Sequence, residues 1–134
     1  MNKEKFHKYI ELYEYFNNKQ VSYSDYFTKE IEGNAIDLLY RVNALLACLD
    51  LLPVRVTSGW RPEPYNKIIG GASKSYHIKG KAIDISDPKG LVYEIIAQNF
   101  ELLDDFGLWM YQGNKFIHLD TGIREAREKR IFTV

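Results

Sequence analysis

The strongest constraint on the fold is an apolar repeat in the first half of the chain. From Ala35 to Leu49, apolar residues recur every three or four positions, and Pro53 follows the repeat. This spacing places them along one face of a helix, so the segment predicts a long core helix with Asn34 as a candidate N-cap. The large residues that form this face are Ile36, Leu38, Leu39, Val42, Leu45, Leu46 and Leu49.

Patterns on both sides of this helix predict a mixture of helices and strands. Residues 3–17 have helical apolar spacing and are expected to pack on the core, whereas residues 17–25 are polar and loop-like. After the core helix, residues 61–69 favour a helical turn and residues 90–100 a further helix. Strands are predicted at 53–57, 82–85, 107–111 and 115–120, with a hairpin turn at 112–114. The charged tail is predicted to be solvated, with residues 131–134 as a candidate final strand. We therefore predict an α+β fold in which a small antiparallel sheet has helices packed on one side.

Length and charge exclude several classes of protein. The chain has 134 residues with 18 basic and 18 acidic side chains, so its formal net charge is zero. We expect a monomeric single domain and no nucleic-acid partner held by electrostatics. No apolar window approaches the ~20 residues that span a bilayer, and no secretory signal is visible, which predicts a cytoplasmic product without membrane insertion. Cys48, the single cysteine, is predicted to be buried, and His7 to be solvated.

A histidine and an aspartate, His77 and Asp84, lie seven positions apart with Gly80 between them. This separation amounts to about 10.5 Å along a helix and to about 23 Å along a strand, whereas zinc bonds are about 2.0–2.2 Å long. The two side chains can share a metal only if the chain folds back at Gly80, because glycine adopts backbone angles that other residues avoid. Otherwise His77 is an ordinary loop residue and Asp84 an ordinary strand-end carboxylate.

His118 is the candidate for a third ligand, on the second strand of the predicted hairpin. Side chains alternate along a strand, so His118 and Asp120 are predicted to point to the same face, together with Phe116. Two imidazoles and one carboxylate would leave a fourth position open for water, as in catalytic zinc sites. The spacing alone leaves both the metal site and the ordinary loop open.

The surrounding sequence contains a longer pattern. It runs S-G-x-R, N, G-G and S-x-H-x-x-G-x-A-x-D within TSGWRPEPYNKIIGGASKSYHIKGKAIDI at 57–85, and ends with H-x-D within FIHLD at 116–120. This pattern resembles the zinc D-alanyl-D-alanine carboxypeptidase family, which includes bacterial and bacteriophage peptidoglycan peptidases and shares its metal site with the hedgehog signalling domain. The positions that match are Ser58, Gly59, Arg61, Asn66, Gly70, Gly71, Ser75, His77, Gly80, Ala82, Asp84, His118 and Asp120.

The resemblance implies a role for each matched residue. His77, Asp84 and His118 would hold Zn²⁺, and Arg61 would stabilise the oxyanion or bind a substrate carboxylate. Ser75 would hydrogen-bond near the metal or the substrate. Asn66 and the paired glycines are expected to shape the loop. The resemblance also implies one domain over 1–134, with a helical extension at 1–30, the family core at 31–122 and a tail at 123–134.

One position departs from the family pattern. Many members carry a glutamate or aspartate three positions before the last zinc histidine as general base, and here that residue is Lys115. An ammonium group cannot accept a proton unless its pKa is strongly lowered. Asp120 is the first candidate to replace this base, unless it orients a histidine ring instead. Asp104, Asp105 and Glu63 are more distant candidates.

The resemblance predicts a zinc-dependent peptidase that acts on peptidoglycan peptides, as a carboxypeptidase or an endopeptidase. The predicted cytoplasmic product would be separated from peptidoglycan, which lies outside the membrane. A bacteriophage endolysin or a virion part would reach the cell wall after release, so we expect the protein to be one of these. The alternative is a non-catalytic zinc-binding module, such as a virion component, and Lys115 favours it.

Overall fold

The computed structural model describes residues 8–134 as helices arranged around one small sheet. The first part of the helix predicted at 3–17, and His7, lie outside the described residues. The helices are α1 (Leu12–Phe16), α2 (Lys19–Ser22), α3 (Lys29–Cys48), α4 (Glu63–Ile68), α5 (Leu91–Gln98) and α6 (Glu101–Asp105). The strands are β1 (Val56–Ser58), β2 (Ala82–Ser86), β3 (Trp109–Gln112) and β4 (Phe116–Asp120).

The four strands form one antiparallel sheet in the order β1-β2-β4-β3. Its register pairs Asp84 of β2 with His118 of β4, and His118 with Tyr111 of β3. Directly paired residues point to the same face of a sheet, so these three side chains form a row across it. The predicted α+β fold with a small antiparallel sheet is confirmed.

The opposite face of the sheet packs against the helices. Alternate residues of β2 and β4 are completely buried there, and α3 contributes a stripe of buried side chains to the same core. One face of the sheet is therefore committed to the apolar core, and the other is left for polar side chains. The buried residues of these elements are Ile83, Ile85, Ile117, Leu119, Leu38, Val42, Leu45 and Leu46.

The segment before α3 packs on the core, as predicted, but with different local structure. Residues 8–11 are not helical, while the predicted loop at 17–25 contains α2 and a 3₁₀ turn at Ser24–Tyr26. Tyr15 is fully buried, and its hydroxyl donates to the Ala82 carbonyl at 2.9 Å. Phe16 and Phe27 make edge-to-face contacts with buried Trp60. These contacts with distant residues, which local spacing does not reveal, stabilise short helices in a polar sequence.

Two predictions about the long helix were wrong. The helix begins at Lys29 because the Thr28 side chain accepts a hydrogen bond from the Ile31 N–H, while Asn34 lies inside it and donates to the Lys79 carbonyl at 2.9 Å. Cys48 is exposed rather than buried, since it lies two positions after Leu46 and points away from the core.

The remaining boundaries differ by a few residues. The strand predicted at 53–57 is confined to β1, and the helix predicted at 90–100 is divided into α5 and α6. Residues 125–129 of the tail are exposed as predicted, whereas the candidate final strand is a single parallel bridge between Ile131 and Met110. Within residues 8–134, no helix is both long and apolar enough to cross a bilayer.

Candidate metal centre

Three buried side chains converge on the polar face of the sheet. The Asp84 Oδ1 atom lies 3.2 Å from His77 Nε2 and 2.9 Å from His118 Nδ1. One ligand atom from each of the three residues lies within 4.8 Å of the other two. Tetrahedral zinc with bonds of about 2.0–2.2 Å places its ligand atoms roughly 3.3–3.6 Å apart. The donor set therefore fits one metal ion.

The chain brings His77 next to Asp84 by folding back between them. Gly80 has a φ of 73°, and the Lys81 N–H donates to the Tyr76 carbonyl at 3.0 Å, so a tight turn precedes β2. A Cβ atom on Gly80 would lie 2.9 Å from the Ile31 carbonyl oxygen, which also excludes larger residues. The predicted bend is present at the predicted glycine.

Both histidine rings are oriented through their second nitrogen. His77 Nδ1–H donates to the Gly59 carbonyl at 2.8 Å, and His118 Nε2–H donates to the Asp120 carboxylate at 2.6 Å. Since a carbonyl or a carboxylate accepts hydrogen bonds, these contacts leave His77 Nε2 and His118 Nδ1 as the nitrogens that face Asp84, where each can donate a proton to the carboxylate or present a lone pair to a metal ion. Such second hydrogen bonds fix the tautomer and the orientation of metal-binding histidines.

Gly59 is required at its position by close packing. A Cβ atom there would lie 1.9 Å from the Tyr15 carbonyl oxygen, well inside contact distance. The Trp60 N–H donates to that same oxygen at 3.3 Å. The glycine thus lets α1 approach the loop after β1, and this approach sets the carbonyl that orients His77.

Arg61 lies beside the three convergent side chains. Its Nη2 donates to Asp84 Oδ2 at 3.2 Å, and its Nε donates to the Ser58 hydroxyl at 2.8 Å. The Arg61 N–H also donates to the His77 carbonyl at 3.1 Å. Arg61 is therefore positioned through both its side chain and its backbone, and it lines an open cleft of about 300 Å³ together with His77 and His118.

Asn66 and Gly71, two residues of the family pattern, organise the loop that carries His77, as the sequence predicted. Buried Asn66 donates to the Ala72 carbonyl at 2.9 Å, and Gly71 N–H donates to the Asn66 carbonyl at 2.8 Å. The Ser75 hydroxyl accepts from the His77 N–H at 3.1 Å, and Ser75 also lines the cleft. These hydrogen bonds hold the loop in place beneath the site.

Comparison with protein families identifies this arrangement. A family model described as Peptidase M15 matches residues 12–120, which include all three convergent side chains and Arg61. The chain belongs to the peptidase M15 family. M15 peptidases are metal-dependent enzymes, and the His77, Asp84 and His118 side chains form a site that can hold a metal.

Curated relatives are about one third identical to this M15 chain over the aligned residues. The protein named peptidoglycan L,D-endopeptidase MepK from Escherichia coli strain K12 is 33% identical over 99 residues, which cover 70% of this chain and 53% of that protein. The proteins of the same name from Escherichia coli O157:H7 and Shigella flexneri match equally well, at 33% identity and the same coverage. The chain thus spans about half the length of the curated relatives it matches.

The hydrogen bonds in this M15 site favour the ionised form of Asp84 and the protonated form of His118. Burial opposes ionisation of Asp84, but hydrogen bonds from His118 and His77 outweigh it and lower the Asp84 pKa well below its ordinary value. Burial also opposes protonation of His118, and the hydrogen bonds to Asp120 and Asp84 nevertheless raise its pKa. The metal-free site therefore attracts a positive charge, which a metal ion can supply in place of a proton.

Asp120 is completely buried next to His118. Its Oδ2 atom accepts from His118 Nε2 and from Arg124 Nη2, both at 2.6 Å, and its Oδ1 accepts from the Gly122 N–H at 2.9 Å. Burial tends to raise the Asp120 pKa, but the bonds from His118 and Arg124 lower it. Of the two roles that the sequence left open, this geometry favours orientation of His118 over proton transfer.

The position of the usual general base lies in the hairpin turn. Lys115 is exposed with a φ of 66°, and the structure does not place it among the residues that line the cleft. The more distant candidates are also elsewhere, since Glu63, Asp104 and Asp105 are exposed on α4 and α6. Among the described residues that line the cleft, none has a carboxylate side chain.

Sequence reasoning missed several residues of the cleft, among them three aromatic or cationic residues from β3 and the tail. The Tyr111 ring stacks on the His118 ring with centroids 4.4 Å apart, and Phe132 lies edge-on to Tyr111 at 5.3 Å. Arg124 contacts Phe132 and Asp120. The predicted turn at 112–114 would have paired Tyr111 with Lys115, whereas the observed register pairs it with His118, so the predicted hairpin did not indicate Tyr111. No local pattern indicated Arg124 or Phe132, which come from the tail.

Proposed function

We propose that this protein is a zinc-dependent peptidase that hydrolyses peptide bonds in bacterial peptidoglycan. The observation that carries the proposal is the buried set of His77, Asp84 and His118, which lies beside Arg61 in an open cleft of an M15 chain. Membership of a peptidase family indicates hydrolysis of peptide bonds as the reaction, and the geometry indicates which residues would take part.

The ligand types favour zinc. Two imidazole nitrogens and one carboxylate oxygen suit Zn²⁺, whereas Ca²⁺ and Mg²⁺ prefer sets of oxygen ligands. Three protein ligands would leave one position for water or substrate, as in catalytic zinc sites. Bound zinc would supply Lewis-acid polarisation of the scissile carbonyl and lower the pKa of a bound water to about 7.

Arg61 and Ser75 would act on the substrate. The Arg61 guanidinium is held by Asp84 and Ser58 at the edge of the cleft, where its remaining N–H groups can donate to an oxyanion or to a substrate carboxylate. Ser75 lies in the same cleft, with its hydroxyl oxygen held by the His77 N–H. The Ser75 hydroxyl hydrogen is then available to a substrate carbonyl.

Asp120 would act through His118 rather than on the substrate. It is fully buried and already accepts hydrogen bonds from His118, Arg124 and Gly122. A carboxylate in this position fixes the ring plane of a metal-binding histidine and increases its basicity. We therefore assign Asp120 as a positioning residue, and this assignment leaves the proton transfer without a protein carboxylate in the cleft.

The relatives indicate which bond to test first. Their name is peptidoglycan L,D-endopeptidase, and they are about twice as long as the matched region. The name therefore supports a substrate class for this chain rather than an activity. We propose L,D-linked peptides of peptidoglycan as substrates and an endopeptidase as the mode of action. The bacteriophage setting stays a prediction from the sequence.

Hydrolysis of purified peptidoglycan tests the proposal. The protein loaded with zinc is expected to release soluble peptides that mass spectrometry detects, while chelator and the Asp84→Ala variant each remove this activity. The control variant Asp37→Ala, which deletes an exposed carboxylate on α3, is expected to cut normally. Zinc-loaded protein that cuts neither peptidoglycan nor isolated muropeptides would exclude the peptidase.

A non-catalytic zinc-binding module is the second candidate. Lys115 in place of the usual acid, and the lack of carboxylate side chains among the described residues lining the cleft, favour it. This module would bind zinc stoichiometrically and bind wall peptides without cutting them. Metal analysis and peptide binding in the same preparations distinguish the two candidates.

A further inference from the structure

Within the part of the chain that the structure describes, the cleft beside the metal centre is lined by cationic and not by anionic side chains, although the whole chain is neutral. The formal net charge of the protein is zero, yet Arg61, Lys74 and Arg124 all line this cleft. Two buried carboxylates, Asp84 and Asp120, lie behind its surface. The three cations together with a divalent metal would outnumber these carboxylates, so the cleft attracts anions.

Arg124 is held in the cleft by two aromatic rings and one carboxylate. Its guanidinium lies 3.9 Å from the Phe132 ring centroid and 5.4 Å from that of Tyr76, and its Nη2 donates to Asp120 at 2.6 Å. Rings that contact a planar guanidinium restrict its orientation without using its N–H groups. The group is thus pre-organised, while 27% of the side chain remains exposed.

The tail places both Arg124 and the Phe132 ring. The Phe132 N–H donates to the Met110 carbonyl and the Met110 N–H donates to the Arg130 carbonyl, both at 3.0 Å, so the end of the tail is fixed to the edge of β3. Arg130 reinforces this attachment, since its Nε donates to the Leu108 carbonyl at 2.8 Å. Both cleft residues lie beyond residues 12–120, the region matched by the family model.

The hydrogen-bonding capacity of Arg124 is not exhausted by Asp120. A guanidinium has five N–H donors in a planar fork. Within residues 8–134, the buried Nε atom of Arg124 has no hydrogen-bond partner. The single bond from Nη2 to Asp120 leaves further N–H groups of the fork, and the exposed part of the side chain can present them to an anionic ligand.

From these observations we infer that Arg124 forms a carboxylate subsite of the cleft, and that the preferred substrate carries a free carboxylate on a residue that flanks the scissile bond. This inference rests on the proposed peptidase function and narrows its substrate class to anionic peptides. A planar fork suits a carboxylate because two parallel hydrogen bonds can form. Phe132 and Tyr76 would contact the apolar part of the same residue.

Matched peptides test the subsite. The probes are muropeptide-derived peptides that differ only in a free carboxylate or a carboxamide on one residue next to the scissile bond, with one pair for each flanking residue. For one of the pairs, the zinc-loaded wild type is expected to show a kcat/KM at least about tenfold higher for the acid than for the amide. This difference is comparable to the contribution of one charge-assisted hydrogen bond, which the amide cannot form. The Arg124→Gln variant should lose this preference, mainly because its rate on the acid falls.

A structural role of Arg124 gives a different result. If Arg124 only supports Asp120 and His118, Arg124→Gln lowers the rates on acid and amide equally and the preference remains, which would overturn the inference. The control Arg127→Gln removes an exposed cation from the same segment, outside the cleft, and should leave the preference unchanged. Equal rates of the wild type on both members of each pair would also overturn it while leaving the peptidase function intact.

Binding gives a readout that does not depend on hydrolysis. Metal-free wild type should bind the acid at least about fivefold more tightly than the amide in calorimetry, and Arg124→Gln should bind both with equal affinity. If the protein binds the acid selectively but cuts neither peptide, the result would support the subsite and contradict the proposed peptidase function. Equal binding of acid and amide by the wild type would contradict the subsite.

Discussion

At the scale of single residues, the site depends on how each polar side chain is held. His77 and His118 each use one ring nitrogen for a fixed acceptor, Gly59 in one case and Asp120 in the other. Their remaining nitrogens meet at Asp84 Oδ1. The ligand set thus depends on two acceptors that lie outside it.

Loss of the Asp120 charge should weaken metal binding. We expect Asp120→Asn to lower zinc affinity by about 10–100-fold, because a neutral amide supports the basicity of His118 less well. Competition with a fluorescent zinc chelator measures the change. Asp87→Asn is the matched control, since Asp87 is a buried carboxylate that accepts from the Val92 and Tyr93 N–H groups at the start of α5. An unchanged affinity in Asp120→Asn would contradict the assigned role.

Zinc binding should release protons in mildly acidic solution. Hydrogen bonds to Asp120 and Asp84 raise the pKa of His118, so metal-free protein carries a proton on this ring below and around pH 6.5. That proton stabilises the metal-free fold at low pH, and the contribution is lost as pH rises through the raised pKa. Because zinc must displace the proton, its affinity should increase with pH up to that value. Calorimetry in buffers of different ionisation enthalpy should show roughly one proton or more released per zinc at pH 6; no release there would argue against His118 as a ligand.

At the scale of elements, strand register and one close approach build the site. The pairing of Asp84 with His118 and of His118 with Tyr111 brings residues from three strands into a row. The approach of α1 to Gly59 then places the carbonyl that orients His77. The sequence predicted the hairpin and the polar face, but the partner of Gly59 comes from a segment more than 40 positions away and no local pattern encodes that contact.

Two glycine substitutions should have opposite effects on stability. Gly59→Ala is expected to lower the free energy of unfolding by at least about 2 kcal/mol, because the added methyl group would meet the Tyr15 carbonyl oxygen at 1.9 Å. Gly33→Ala, the control, should raise it by about 0.5–1 kcal/mol, since Gly33 lies inside α3 with no atom within 4 Å of an added Cβ. Urea denaturation measures both. Equal stability of Gly59→Ala and the wild type would contradict the close packing.

At the scale of the whole molecule, the site joins segments that are distant in sequence. The loop before β2, strand β2 and strand β4 each contribute one convergent side chain, while the tail covers the edge of β3. A ligand that binds all three segments only in the folded state shifts the folding equilibrium towards that state.

Zinc should therefore stabilise the entire domain. With free zinc at about 100 times its dissociation constant, the gain is about 2.7 kcal/mol, which corresponds to roughly 10 °C in Tm for a chain of this size. Differential scanning calorimetry with and without chelator measures the gain. Asp84→Ala should unfold cooperatively yet lose most of its bound metal and show little response to zinc, whereas Asp37→Ala should respond as the wild type does. A wild-type Tm that does not respond to zinc would contradict a structural contribution of the metal.

The sequence by itself determined the long core helix and the hairpin, because periodicity and turn residues are local properties of the chain, and its resemblance to a known family indicated the three convergent side chains. The register of the sheet, the packing of Tyr15 against Gly59 and the entry of Arg124 and Phe132 into the cleft were decided only by the tertiary structure. These features depend on contacts between segments that are far apart in sequence. Such contacts form when buried surfaces pack together, and no short stretch of residues carries that information.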